Sequence, residues 1–181
     1  MFSSLVYITG NANKAKQTAV YAPLPLQHKK IDLPEIQSMD VGEILEYKSK
    51  AAYAIVKEPV LVEDVSLTFS ALGRLPGTLI RWFLEEIGNE KMCRILDSYE
   101  DRSAIAQVTY GLYDGETLKT FSGSAKGTIV HTPRGDEWGW NPIFQPEGYT
   151  KTWGEMTEKE RSKTSMRRIA LEKLEAYLRK K

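Results

Sequence analysis

Two adjacent carboxylates, Glu63 and Asp64, follow directly on the apolar run Val60-Leu61-Val62 and precede a turn-rich stretch that ends Leu75-Pro76-Gly77. An aliphatic run without alternation suits a strand buried on both faces, and Glu63 and Asp64 fall where such a strand would end. Open α/β sheets keep their ligands at strand ends of this kind. Successive side chains of an extended segment point to opposite faces, so the two carboxylates serve different surroundings and one of them faces a cleft. An acidic strand terminus in solvent accounts for the same residues.

Three further groups have the chemistry of a charged-ligand site. Glu35 follows Pro34 at the end of a second strand over 26–33. Thr9-Gly10-Asn11 forms the turn between a buried strand over 5–8 and a helix over 13–21. The unpaired N–H groups and partial positive charge of a helix start can cradle phosphate, with Lys14 or Lys16 adding charge. The turn is not a Walker loop, because GxxxxGK[ST] is absent, and βα turns that bind nothing look much the same. Lys48 lies on the apolar stripe Val41, Ile44, Leu45, Ala52, Ile55 of a helix that Asp40 and Glu43 open as N-cap and capping partner. It either snorkels out from the edge of that face or reaches an anion in a cleft.

The elements that must position these groups form a single domain over 1–181, in a chain with 41% hydrophobic residues. That length buries roughly 70% of the unfolded surface without a covalent staple. The 25 basic and 24 acidic residues nearly cancel, so no global field draws the chain to nucleic acid or to an anionic membrane. One cysteine, Cys93, excludes an intramolecular disulfide and a cysteine-cluster zinc site, and reads as a core thiol of a reducing compartment. His28 and His131 stand at no metal spacing and read as bystanders. The stretch MFSSLVYITG shows no basic region followed by a long apolar core, and no run of about 18 apolar residues occurs, so the expectation is a soluble, cytoplasmic protein.

Helices are expected over 78–87 and 90–96, the first carrying Arg81 and Trp82. Strands over 104–113, 119–121 and 126–130 form a meander joined by Asp114-Gly115 and Ser122-Gly123 turns, so the sheet is mixed. The phosphate-loop look of GSAKGT, 123–128, is superficial. The loop over 134–149 is dense in aromatics, which fill a core edge, as suits Trp140 and Phe144, or stack on a flat group such as a base. A last helix over 164–179 carries Arg167 in its first turn, where a cation opposes the helix dipole and must answer to an acidic neighbour or a ligand. The basic finish Arg179-Lys180-Lys181 is a solvated tail.

Taken together, ITGNANK (8–14), KIDLPEIQ (30–37), LVED (61–64), FSALGRLPG (69–77), IRWFLE (80–85), YEDRSA (99–104), WGWNPIFQPEGY (138–149) and SMRR (165–168) are similar to the inosine triphosphate pyrophosphatase family, closer to its eukaryotic members. The resemblance runs nearly end to end. It implies an α/β fold with a long mixed β-sheet, flanking helices and two lobes around a central cleft, assembled as a homodimer. It also implies Mg2+-dependent hydrolysis of the α–β phosphate bond of non-standard purine nucleoside triphosphates, with Mn2+ as a substitute metal.

Carried over residue by residue, Glu35 and Asp64 resemble the metal carboxylates, and Asp64 and Lys14 the catalytic pair, with Asp64 as base for the attacking water. Thr9, Gly10, Asn11, Ala12, Asn13, Lys14, Lys48 and Arg81 fall on triphosphate contacts, and Arg161 stands where many members have lysine. Trp138, Gly139, Trp140, Asn141, Ser165, Met166 and Arg167 fall on the base side. Two positions depart from the family: Asn141 replaces an aspartate, and Met166 replaces the histidine of Ser-His-Arg. Asn donates as well as accepts, and Met cannot donate to a 6-oxo group, so broadened or shifted base choice is the alternative. A nucleotide-binding protein with little turnover is another, against which Glu35, Asp64 and Lys14 stand intact.

Overall fold

The computed structural model describes residues 4–180, which leaves Lys181 of the basic tail and 1–3 outside the described residues. Its elements in chain order are β1 (Leu5–Ile8), α1 (Ala12–Tyr21), β2 (Leu26–Lys29), α2 (Val41–Val56), β3 (Val60–Phe69), β4 (Pro76–Gly77) and α3 (Ile80–Arg94). There follow β5 (Ser103–Tyr113), β6 (Leu118–Ile129), a 3-10 turn at Asn141–Ile143, β7 (Phe144–Pro146), α4 (Glu158–Lys163) and α5 (Met166–Leu178). The strands form one seven-stranded sheet in the order β2-β1-β3-β5-β6-β7, with β4 paired to β3. It is mixed, as expected: β1 runs parallel to β2 and β3, whereas β3–β4 and β6–β7 are antiparallel.

By its contacts the chain divides into two compact units. The first comprises the described part of Met1–Asp64 with Val108–Gly123 and Arg167–Lys181, and the second Val65–Gln107 with Ser124–Met166. In the first, every residue of β1 is buried, as a strand with neighbours on both edges and cover on both faces requires. One face meets α2 in a cluster of Val6, Ile8, Leu45, Ala52, Val60 and Val62, flanked by Ile31, Leu33, Val41, Tyr53 and Tyr113. Asp40 caps α2 by accepting from the Gly42 amide at 2.7 Å, and Lys57 ends it with φ of 59°. Ile55 does not belong to the buried stripe and is 61% exposed.

In the second unit Trp140, Phe144 and Trp153 pack ring against ring, with Phe144 and Trp153 centroids 4.5 Å apart. Core packing thus accounts for Trp140 and Phe144. The buried Arg102 guanidinium ties this unit's chain crossings together, donating to the carbonyls of Cys93 at 2.8 Å, Ile129 at 2.9 Å and Val130 at 3.0 Å. Cys93 is wholly buried, as a core thiol should be, and burial pushes its pKa up to about 11.

Four local expectations are corrected. β3 does not end at Val62 but runs on to Phe69, because Leu67 and Thr68 find partners in Gly77 and Pro76 of β4. Glu63 and Asp64 therefore lie inside a strand. β2 stops at Lys29, where its parallel partner β1 ends at Ile8, so Glu35 sits on an irregular segment rather than at a strand end. No turn interrupts 118–129, which is one strand; Gly127 is the side on which the Phe144 ring and the Gln145 backbone close in. The last helix stands as α5, Met166–Leu178, but a short helix not expected from the sequence, α4, precedes it, started by a Thr157–Glu160 capping box.

Candidate active site

β3 projects its two carboxylates to opposite sides, as strand alternation requires. On one side Asp64 Oδ1 accepts from Lys48 Nζ at 3.0 Å, and the same ammonium lies 2.8 Å from Glu35 Oε1 and 3.3 Å from the Glu63 carbonyl oxygen. Lys48 does not snorkel out. It is 6% exposed, delivered by the buried stripe of α2, and its three N–H donors meet three oxygens. Burial works against the ammonium, but Asp64 and then Glu35 more than compensate, and its pKa is raised. The Asp64 carboxyl is pushed up by burial, against the opposing pull of Lys48 and Lys14. Its second oxygen, Oδ2, is buried and has no hydrogen-bond partner.

On the other side Glu63 is buried against Arg167, whose Nη1 donates to Glu63 Oε2 and, at 3.0 Å, to the Tyr110 hydroxyl. Arg167 Nε donates to Gln17 Oε1 at 3.1 Å, and Thr18 shares a hydrogen bond of 2.8 Å with Tyr110. Burial raises the Glu63 carboxyl, but Arg167, and after it Lys14, reverse this and hold it well below the usual carboxylate range. The acidic neighbour that answers Arg167 at the start of α5 is therefore Glu63. Lys14 reaches the same carboxylate from the first turn of α1, 3.6 Å from Oε1.

The turn before α1 is built by side chains from its own residues. Asn11 Oδ1 accepts from the Asn13 and Lys14 amides at 3.0 and 3.1 Å, and Thr9 Oγ1 accepts from the Asn11 amide at 3.2 Å. Gly10, Asn11, Ala12 and Asn13 are exposed, so this helix start faces solvent with Lys14 beside it. The first unit thus brings Lys14, Glu35, Lys48 and Asp64 together around one stretch of β3.

A divalent cation can be judged against these donors. Among the described residues no group of three His, Cys, Asp or Glu is placed to hold a metal. Mg2+, however, needs only one or two carboxylates when phosphate oxygens and water complete its shell. An unpartnered buried oxygen on Asp64, with the half-exposed Glu35 joined to it through Lys48, fits that requirement.

In the second unit, Trp138 and Gly139 are half-buried, while Trp140 and Asn141 are each 9% exposed. Arg161 of α4 is fixed to this loop by Glu137, with Nη1 2.9 Å from Oε2 and Nη2 3.0 Å from Oε1. Ser165 and Met166 are buried at the junction of α4 and α5. Arg81 lies on the exposed side of α3, paired with Glu85 at 2.8 Å and set over the Trp82 ring. Sequence reasoning missed Glu137, for which a carboxylate inside the aromatic loop was the only signal. It also missed Thr18 and Tyr110, whose polar partners are distant in sequence.

The chain matches the Ham1 family over residues 5–177. It is 44% identical over 184 aligned positions to the inosine triphosphate pyrophosphatase of Yarrowia lipolytica, an alignment covering 98% of this chain and 97% of the relative. It is 41% identical over 177 positions to the inosine triphosphate pyrophosphatase of Fusarium vanettenii, covering 96% and 95%. Among solved structures, the Ham1 protein of Staphylococcus aureus superimposes with a TM-score of 0.83 at 24% identity, covering 97% of this chain and 98% of that one. The HAM1 protein of Coxiella burnetii gives 0.84 at 23% identity, covering 99% and 100%. These two show the shared fold.

Proposed function

This chain belongs to the Ham1 family, and from that premise we propose that it cleanses the nucleotide pool. It is a nucleoside triphosphate pyrophosphatase that hydrolyses non-standard purine nucleoside triphosphates, those of inosine, deoxyinosine and xanthosine, to the monophosphate and pyrophosphate. The unbroken match over 5–177 supports one pyrophosphatase domain for the whole chain. A homodimer acting in the cytoplasm completes the reading. The reading includes neither nucleic acid nor membrane as a partner; the charges nearly balance, and no described helix is long and apolar enough to cross a bilayer.

The observation that carries the catalytic assignment is Lys48 bridging Glu35 and Asp64 while Asp64 keeps a buried, unpartnered oxygen. Glu35 and Asp64 would hold Mg2+, or Mn2+ in its place; when bound, the cation offsets phosphate charge and polarises the bond under attack. Asp64 takes a proton from water, whose oxygen bonds to the α-phosphorus as the bond to the bridging oxygen breaks and pyrophosphate leaves. Burial of Asp64 favours its accepting that proton. Lys14 and Lys48 offset charge on the departing pyrophosphate, and the turn of Thr9, Gly10, Asn11, Ala12 and Asn13 at the helix start lies against phosphate oxygens. The resemblance also assigns Arg81 and Arg161 to triphosphate contacts; here each is paired with a carboxylate, Glu85 and Glu137. By the same resemblance Trp138, as the stacking residue, and Gly139, Trp140, Asn141, Ser165, Met166 and Arg167 are assigned to the base side.

Replacing Glu35 with Gln is expected to raise the Mg2+ concentration for half-maximal pyrophosphate release by about tenfold, the scale of a weakened metal contact. An unchanged metal titration would make Glu35 a loop carboxylate. Glu63→Gln tests the opposite face of β3 and is expected to leave that titration nearly alone.

Asn141 and Met166 favour a second form of the same function, with relaxed base choice. Both are buried, and neither reproduces the aspartate and histidine usual in the family. One neutral hydrogen bond to the 6-oxo group is worth about 0.5–1.5 kcal/mol, so its loss lowers discrimination against adenine by up to about tenfold. The test is pyrophosphate release over a panel of nucleoside triphosphates, comparing kcat/KM for inosine and adenosine substrates in wild type and in Asn141→Asp, Met166→His. A double variant no more selective than wild type would remove these positions from base choice, and no release from any nucleotide would overturn the enzymatic reading.

A further inference from the structure

The loop that carries Trp138 to Asn141 is tied near its midpoint by a residue from another element. α3 is interrupted at Gly88, whose φ of 70° and ψ of 173° lie outside the helical region and suit a residue without a side chain. The break turns the next residue, Asn89, toward the loop, and Asn89 Nδ2 donates to the Gly139 carbonyl oxygen at 2.9 Å. α3 also packs on the 3-10 turn Asn141–Ile143 that continues the loop. Gly139 itself has φ of 68°, so its peptide takes up an orientation that an ordinary strand or helix would not enforce.

The direction of this hydrogen bond is fixed by chemistry. A carbonyl oxygen only accepts, so the amide nitrogen of Asn89 must be the atom facing Gly139. The amide oxygen, Oδ1, is then left buried without a partner. An orphaned buried acceptor is a cost that an apolar side chain of similar volume would not incur. Asn at this position is worth its cost for the donor it supplies.

The remaining anchors lie to either side of that peptide. Trp140 is held by Phe144 and Trp153, and the Asn141 carbonyl accepts from the Gly154 amide at 3.0 Å. On the other flank Glu137 is held by Arg161. Between them the Trp138–Gly139 segment is steadied by Asn89.

We propose that Asn89 is a positioning residue for base discrimination, holding the Gly139 peptide so that Trp138 and Asn141 meet the purine in a fixed relation. This rests on the reading that the loop of Trp138 to Asn141 receives the base. Discrimination is a difference in transition-state binding, and a loop that wanders accepts adenine and hypoxanthine alike.

The experiment compares kcat/KM for inosine and adenosine triphosphates in wild type, Asn89→Ala, Asn89→Asp and Trp138→Ala, with thermal midpoints alongside. Asn89→Asp keeps the shape and removes the donor, so it separates the hydrogen bond from packing. Both Asn89 variants are expected to lower the inosine-to-adenosine ratio by about three- to tenfold, the range of one lost neutral hydrogen bond, mainly through KM for the inosine substrate. A residue that merely supports the fold would lower both substrates' constants together and leave the ratio alone. If Trp138→Ala shifts the ratio while Asn89→Asp does not, the role of Asn89 is overturned and the base reading stands. If neither Trp138→Ala nor the Asn89 variants shift it, the base reading falls and the proposal falls with it.

Discussion

Asp64→Asn is expected to lower the rate of pyrophosphate release by at least about a hundredfold, a loss of roughly 2.7 kcal/mol of barrier lowering, while nucleotide binding stays measurable. The amide preserves the shape of the side chain and can still accept from Lys48 through its oxygen. It cannot take a proton from water, and at the buried Oδ2 position it substitutes a neutral donor for an anionic oxygen with no other partner. The turn at Thr9 to Asn13 and the ammonium groups of Lys14 and Lys48 remain, so the triphosphate keeps its contacts. Single-turnover release and equilibrium binding of an inosine nucleotide separate the two effects. If the variant kept more than about a tenth of wild-type turnover, under roughly 1.4 kcal/mol, Asp64 would not be the base.

Arg167→Met is expected to destabilise the protein by about 3–5 kcal/mol, the usual cost of removing one partner from a buried ion pair. The Glu63 carboxylate would be left in a site where both partners are almost wholly inaccessible. The paired change Glu63→Leu, Arg167→Met is expected to cost less than Arg167→Met alone, because no buried charge is stranded. Urea unfolding checks both, and a double variant as unstable as the single one would show that packing, not charge, dominates here.

The pH dependence carries a sign that distinguishes the two proteins. In wild type the folded pKa of Glu63 is depressed, so its contribution is present above the ordinary value of 4.5 and fades as pH falls through the folded value. Without Arg167, burial pushes the carboxyl upward against only Lys14 and the hydrogen bond from Tyr7. The deficit of Arg167→Met should then narrow on acidification towards 4.5, where a neutral carboxyl can be buried at lower cost.

How much of this was legible in the sequence depends on whether a cue is local. Alternation along β3 separated Glu63 from Asp64, helical spacing put Lys48 on the stripe of α2, and an arginine at the start of α5 demanded an acidic neighbour. Each needs only a few adjacent residues and a known period. The end of β2 was misjudged because Ile31 and Leu33 look like strand residues, and they do pack against the α2 cluster, but their would-be partner strand has already turned at Thr9-Gly10. β6 was broken in two because Ser122-Gly123 read as a turn. Further along the same strand Gly127 makes room for Phe144, a residue whose place is set by tertiary packing. The contacts Glu137–Arg161 and Asn89–Gly139 join segments far apart in the chain, and no periodicity announces such pairs.

The seclusion of Cys93 gives the molecule a built-in clock for its own breathing. It is the only thiol in the chain, it has no exposed surface, and burial has raised its pKa to about 11, so the closed state offers a disulfide reagent almost no thiolate to attack. Reaction must wait for α3 to loosen from the strands that Arg102 fastens to it. The labelling rate therefore counts excursions of the second unit into partly opened forms, a quantity that equilibrium unfolding averages away.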